Sequence, residues 1–171
     1  MSRKLSVFSC IILVIAMTFA MAACGEKGGN EEPVAKDVAL DTIYQTIYDA
    51  CKAQSNEDFP LWQETDEGFL SQMYEGLFDY EFEDTLFYQH FVVGTGCEIT
   101  ILKLKDANDV NAVIDVCNKR IEIGSEDDFY PDHAGTWKNN STVLNYGNYV
   151  ILICMPESIT LPEDEVEALF K

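Results

Sequence analysis

Across residues 38–53 the apolar positions Leu40, Ile43, Tyr44, Ile47, Tyr48 and Cys51 recur at intervals of three and four, which is the spacing of one helical face. Asp37 stands where an N-cap is expected, and residues 56–60 (Asn-Glu-Asp-Phe-Pro) break the pattern. A second, shorter helix is predicted over 66–77, with Phe69, Leu70, Met73, Tyr74 and Leu77 on one side and Gly76 limiting its length. Residues 85–93 and 97–104 are rich in β-branched and aromatic side chains, and Gly94-Thr95-Gly96 between them signals a hairpin. Setting Val93 against Cys97 pairs Phe91 with Ile99, His90 with Thr100, Val92 with Glu98 and Tyr88 with Leu102. Gln89 opposite Ile101 fits that register poorly, so a slip by one residue stays open. Asp106 or Asn108 caps a third helix reaching about residue 123, with Val110, Val113, Ile114, Cys117 and Ile121 as its stripe. Lys119 and Arg120 fall near its end, where cations suit the helix dipole.

Residues 124–141 show no regular period, which marks a long loop. A last hairpin runs over 142–146 and 149–155 around Gly147-Asn148, and the apolar run 150–154 reads as a central strand covered on both faces. Pro162 opens a short terminal helix through Phe170. The expected fold is α+β: a mainly antiparallel four-stranded sheet built from two hairpins, with helices packed on it, forming a single domain over 37–171.

Ahead of that domain, Arg3 and Lys4 precede an apolar run over 7–23, the pattern of a secretory signal peptide. Its end, Met21-Ala22-Ala23-Cys24, resembles the lipobox of bacterial lipoproteins, with Met21 where Leu is usual. The resemblance implies a signal peptide over 1–23, diacylglycerol on the Cys24 sulfur and cleavage before that residue. One acyl chain binds a membrane reversibly, whereas two on one cysteine make a stable anchor. Residues 25–36 carry three Gly, one Pro and five charges, so 24–36 reads as the lipidated Cys and a flexible tether reaching at most about 40 Å.

The chain carries 11 basic and 30 acidic residues in 171, a net −19 that excludes phosphate-backbone binding and hence nucleic acid as a partner. Loss of residues 1–23, which hold Arg3 and Lys4 and no acid, leaves 148 residues at −21. Such a body is repelled by anionic head groups. The expected location is the outer face of the cytoplasmic membrane, reached through the lipid on Cys24.

Candidate chemistry is sparse. Cys51, Cys97, Cys117 and Cys154 permit two disulfides outside the cytoplasm, but Cys51 and Cys117 lie on apolar helix stripes and Cys154 in an apolar strand. Reduced core thiols are therefore expected. There is no Cys-x-x-Cys or His-Glu-x-x-His, and the register above puts Cys97 and His90 on opposite faces. No catalytic residue, metal ligand or cofactor is expected. Glu126, Asp127, Asp128 and Asp132 lack the alternation and glycine of an EF-hand, which favours a solvated acidic loop. Tyr130, His133 and Trp137 in that loop, with Tyr88 and His90 on the sheet, form the candidate binding surface for an envelope protein or small ligand. The rival expectation is a calcium-dependent or hydrolytic envelope enzyme using the acidic loop 124–141.

Residues 39–155 also resemble a family of bacterial lipoproteins known as domain-of-unknown-function family 4358. The likeness rests on Ile43-Tyr44 to Ala50, on Tyr74-Glu75-Gly76-Leu77, on residues 99–106 running into the third helix, and on residues 146–150. It implies an origin among mostly anaerobic monoderm bacteria, which strengthens the reduced-thiol expectation, and no established activity.

Overall fold

The computed structural model describes residues 36–55, 61–90, 96–126 and 131–171, with the backbone alone at 62 and 132. Residues 1–23, Cys24 and the tether up to residue 35 lie outside the described residues, as do Phe91, Val92 and Val93.

Helix α1 (Leu40–Lys52) turns Leu40, Ile43, Ile47 and Cys51 inward, as its period requires. Its N-cap is Ala39, not the expected Asp37. The Asp37 carboxylate is drawn to the sheet, accepting from the Tyr149 hydroxyl at 2.6 Å and from Lys103 Nζ at 3.0 Å. Strand β1 (Leu61–Gln63) precedes α2 (Glu67–Met73), which Asp66 caps by accepting from the Phe69 N–H at 2.7 Å. The helix ends before the expected residue 77. Gly76 at φ 82 reverses the chain into a 3-10 turn over Leu77–Asp79.

The α+β class holds, with the expected antiparallel strands from two hairpins: β2 (Phe82–His90) with β3 (Glu98–Leu104), and β4 (Ser141–Tyr146) with β5 (Tyr149–Cys154). Short β1 adds an edge to this core, giving the order β1-β2-β3-β5-β4. Every pairing is antiparallel. Strands β3 and β5 lie side by side in the middle, and β5 is buried at all six positions.

The first hairpin's register differs from the expected one by three residues. Tyr88 faces Ile99, Phe87 faces Thr100 and Gln89 faces Glu98. The misfit at Gln89 explains why: in this register a polar residue faces a polar residue, and Leu86 meets Ile101 on the apolar side. A bulge between Phe82 and Asp84 places Glu83 outside the pairing.

Between the hairpins run α3 (Val110–Ser125) and α4 (Pro131–Asn139), the former preceded by a 3-10 turn that Asp106 caps. Helix α4 occupies half of the stretch expected to be structureless. Pro131 supplies a pre-set first turn, and Trp137 supplies the apolar anchor. Helix α5 (Glu163–Phe170) follows Pro162 as expected.

The sheet is thus sandwiched. Leu86, Ile99, Ile101, Ile151 and Ile153 pack against α1 and α5. On the opposite face Phe87, Leu102, Leu104, Val150 and Leu152 pack against α3, Trp137 and the α2 region.

Candidate functional site

The structure divides the expected binding surface between the two faces of the sheet. Tyr88 and His90 lie on the α1 face of β2, both half-buried. Tyr88 stacks on Tyr44 with ring centroids 3.8 Å apart, and Tyr44 on Tyr48 at 5.8 Å. Lys52 Nζ caps the row 5.7 Å from the Tyr48 ring. Burial, then the neighbouring Tyr88 and Tyr48, push the Tyr44 hydroxyl up to about 12, so that hydroxyl is neutral at physiological pH.

His133 and Trp137 belong to α4, on the other face, and Tyr130 lies outside the described residues. His133 is half-buried, with its carbonyl oxygen over Gly96. Trp137 is not a surface residue. It is 2% exposed and packs against Gly124 of α3, where a Cβ would come within 2.5 Å of the indole ring. The expectation failed because helical winding turns this residue inward, and a loop would have left it free to face solvent.

Sequence reasoning passed over the most concentrated chemistry in the domain. Arg120, expected at the helix end as a dipole partner, is 7% exposed and points from α3 to the sheet. Its Nη2 donates to Glu98 Oε2 at 2.8 Å, and its guanidinium lies 4.2 Å from the Trp137 ring centroid and 5.9 Å from that of Tyr74. The Tyr74 hydroxyl donates to the second Glu98 oxygen and lies 2.7 Å from Thr100 Oγ1. Burial acts to lower the Arg120 pKa, but Glu98 and Tyr74 outweigh it, and the group stays above its ordinary value and fully charged. Burial first, and Glu98 second, hold the Tyr74 hydroxyl well above the usual phenol range.

Two sequence signals mark this pair. Val110, Val113, Cys117, Arg120 and Gly124 fall on one continuous helical period, so Arg120 sits on the buried stripe. Glu98 opens a strand with apolar residues on both faces, Ile99 and Ile101 on one and Leu102 and Leu104 on the other, where a carboxylate needs a partner. Chemically the cluster is closed. Both carboxylate oxygens are engaged, and the space bounded by Leu70, Met73, Tyr74, Phe87, Glu98 and Thr100 is too small to admit a water molecule. Within this cluster Arg120 Nε has no hydrogen-bond partner among the described residues. Such an arrangement positions α3 and α2 on the sheet.

All four domain cysteines are free and buried. Burial, aided by nearby carboxylates or thiols, raises Cys51 to about 11 and Cys97 and Cys117 to about 12, and Cys154 moves the same way. The observed register places His90 directly opposite Cys97, its N–H donating to the Cys97 carbonyl at 2.9 Å. This corrects the opposite-face expectation. The juxtaposition still makes no nucleophile, because the thiol is held protonated and contacts Met155 Sδ at 3.7 Å.

Of the acidic loop, Asp127 and Asp128 lie outside the described residues, and α4 takes up the chain from Pro131. Among the described residues no group of three or more His, Cys, Asp or Glu side chains is arranged to hold a metal. Compared with family models, curated proteins and solved structures, the chain matches none of them.

Proposed function

We propose that residues 37–171 form a binding module tethered to the outer face of the cytoplasmic membrane through lipid on Cys24, and that the chain belongs to lipoprotein family 4358. The observation that carries the reading is the basic start, apolar run and Ala-Ala-Cys ending of residues 3–24. Two acyl chains on one sulfur bind a bilayer stably, while a globule at −21 is repelled by anionic lipid and stands off on its tether.

The nature of the domain supports binding over chemistry. Its thiols are held protonated, and among the described residues both carboxylate oxygens of the buried Glu98–Arg120 pair are engaged from within. Of the expected surface, Tyr88 and His90 lie half-buried on the α1 face, where Tyr44 and Tyr48 extend them into a row that a partner could meet. His133 belongs to a separate surface on the other face.

The test is metabolic labelling with an alkyne fatty acid in a monoderm bacterial host, followed by mass spectrometry of the N-terminal peptide. The expected result is a diacylated Cys24 at the new N-terminus and release of Cys24→Ala protein from the membrane fraction. An unacylated thiol at that position, or a chain still carrying residues 1–23, refutes the anchor.

A further inference from the structure

Strand β1 protects only part of the outer edge of β2. Its three residues pair with Tyr88, Gln89 and His90, and the Glu64 N–H adds one bond to the Phe87 carbonyl at 2.9 Å. There the chain turns away, with the Glu64 carboxylate accepting from the N–H groups of Thr65 and Asp66 at 2.9 and 2.7 Å. Beyond that point β2 continues to Phe82, and no strand among the described residues pairs with its outer side.

Antiparallel alternation turns the N–H and C=O of Thr85 outward, in the direction of those of Phe87. Among the described residues the Thr85 N–H is met by the side chain of its own neighbour, Asp84 Oδ1, at 2.9 Å. An N–H satisfied this way is a strand donor in waiting: an incoming carbonyl needs only to displace one exposed carboxylate.

A groove of about 560 Å³ lies where β1 would have continued, walled by the start of α1 on one side and by Glu83, Asp84, Thr85 and Leu86 on the other. Asp37, Asp41, Glu83 and Asp84 line it, and Lys103 is its one cation among the described residues. That ammonium is already committed to Asp37 at 3.0 Å and to Glu83 at 2.8 Å. The Asp37 and Glu83 side chains remain 83% and 56% exposed.

We propose that the outer edge of β2 from Phe82 to Leu86 captures an extended peptide segment bearing Lys or Arg at alternate positions, by strand addition. Main-chain bonds to Thr85 set the register, and every second side chain of the incoming strand falls on the α1 face, beside Asp84 and the Asp37–Asp41 turn. Charge selects this occupant over a second copy of the chain, since each copy carries −19 and repels another at an acidic edge. The proposal names a partner for the binding-module reading at a site separate from the tyrosine row, and does not depend on the lipid.

The test uses the full chain in detergent micelles and a fluorescent eight-residue peptide alternating Lys and Thr. Three companions complete the set: a Glu-Thr peptide, a Lys-Thr peptide N-methylated on alternate amides, and Lys-Thr at raised salt. Support is saturable binding of Lys-Thr that is at least ten-fold weaker for both the Glu-Thr and the N-methylated forms. Asp84→Lys with Glu83→Lys, two exposed changes away from the core, is expected to lose binding by a similar factor, and Thr85→Pro to lose it by removing the edge donor. Retention of a native circular-dichroism spectrum by the charge variant separates loss of site from loss of fold. Equal binding of the N-methylated peptide, or unchanged binding by the charge variant, overturns the proposal, because attraction is then diffuse. Self-association that Thr85→Pro abolishes, with no Lys-Thr binding, assigns the edge to a second copy and also overturns it. Failure of Cys24 acylation with peptide binding intact refutes the anchor alone.

Discussion

The two faces of the sheet are closed by different physics. On the α1 face the buried residues are almost all hydrocarbon: Ile43 and Ile47 from the helix meet Ile99, Ile101, Ile151 and Ile153 from the strands. On the α3 face Val110, Val113 and Cys117 do the same work, but around a buried Arg120–Glu98 pair with Tyr74, Thr100 and Trp137. Apolar contact is proportional to area and indifferent to small slides of a helix along a sheet. A guanidinium that must reach one carboxylate is not. The α3 face therefore has its helix fixed in one seat, while the α1 face relies on shape. Buried pairs add specificity more readily than net stability, since desolvating both charges offsets much of their attraction.

The comparison is broken most severely at Glu98. Glu98→Ala strands a buried guanidinium and leaves the Tyr74 hydroxyl with Thr100 alone, and the expected loss is about 3–5 kcal/mol in urea unfolding. Replacing both partners, Glu98→Met with Arg120→Leu, is expected to recover most of that loss, because no charge is then left unpaired. A single variant costing under about 1 kcal/mol would mean that the pair is solvated and the faces are alike after all.

Alkaline pH affects both faces, and the α3 face more. Folded-state pKa values of the thiols lie above their unfolded values, so their stabilisation is complete below about pH 8.5 and is lost as pH rises toward 11–12, and the raised Tyr74 hydroxyl acts in the same direction only above the ordinary phenol range. Cys97 and Cys117 each add a slope of up to about 1.4 kcal/mol per pH unit in that window. The thermal midpoint is expected to be flat from pH 6 to 8 and to fall from 9 onward. Cys117→Ala should shallow the fall, and the native thiols should resist Ellman's reagent until the chain unfolds.

A smaller effect is expected at the contact between α3 and α4. Ala normally gains about 0.5–1 kcal/mol over Gly inside a helix. At Gly124 the added methyl would lie 2.5 Å from the Trp137 ring, and displacing that ring disturbs its contact with Arg120. Gly124→Ala is expected to cost about 1–3 kcal/mol in thermal or urea unfolding, and Trp137→Leu in the same chain should relieve part of it.

Period and turn chemistry made much of the fold legible. The α1 and α3 stripes, the Gly147-Asn148 hairpin and the covered run of β5 follow from local rules that tertiary structure did not override. Three things escaped those rules. The first hairpin's register depends on where Gln89 and Glu98 meet, a pairwise matter that single-strand patterning leaves open. Helix α4 has little apolar periodicity of its own and is stabilised largely by one indole wedged against Gly124. The buried pair was hidden by residue type: a charge on an apolar period is easily read as helix-end decoration when the partner lies 22 residues away. Tyr88 and His90 were legible as a patch because they alternate on one strand. Trp137 was misassigned because its helix was.

On the α1 face the mildest change gives the sharpest control. Ile47 is fully buried between α1 and the sheet, and Ile47→Val removes one methylene from a wall that has no polar group to strand. Only the transfer free energy and a small void are lost, about 0.5–1.5 kcal/mol. The loss should be additive with Glu98→Ala, because the two residues lie on opposite faces of the sheet and share no partner. It should also be independent of pH between 6 and 10, in contrast to the thiol variants. A coupling above about 1 kcal/mol in the double-mutant cycle would show that the sheet transmits strain between its faces, and that the ion pair also seats α1.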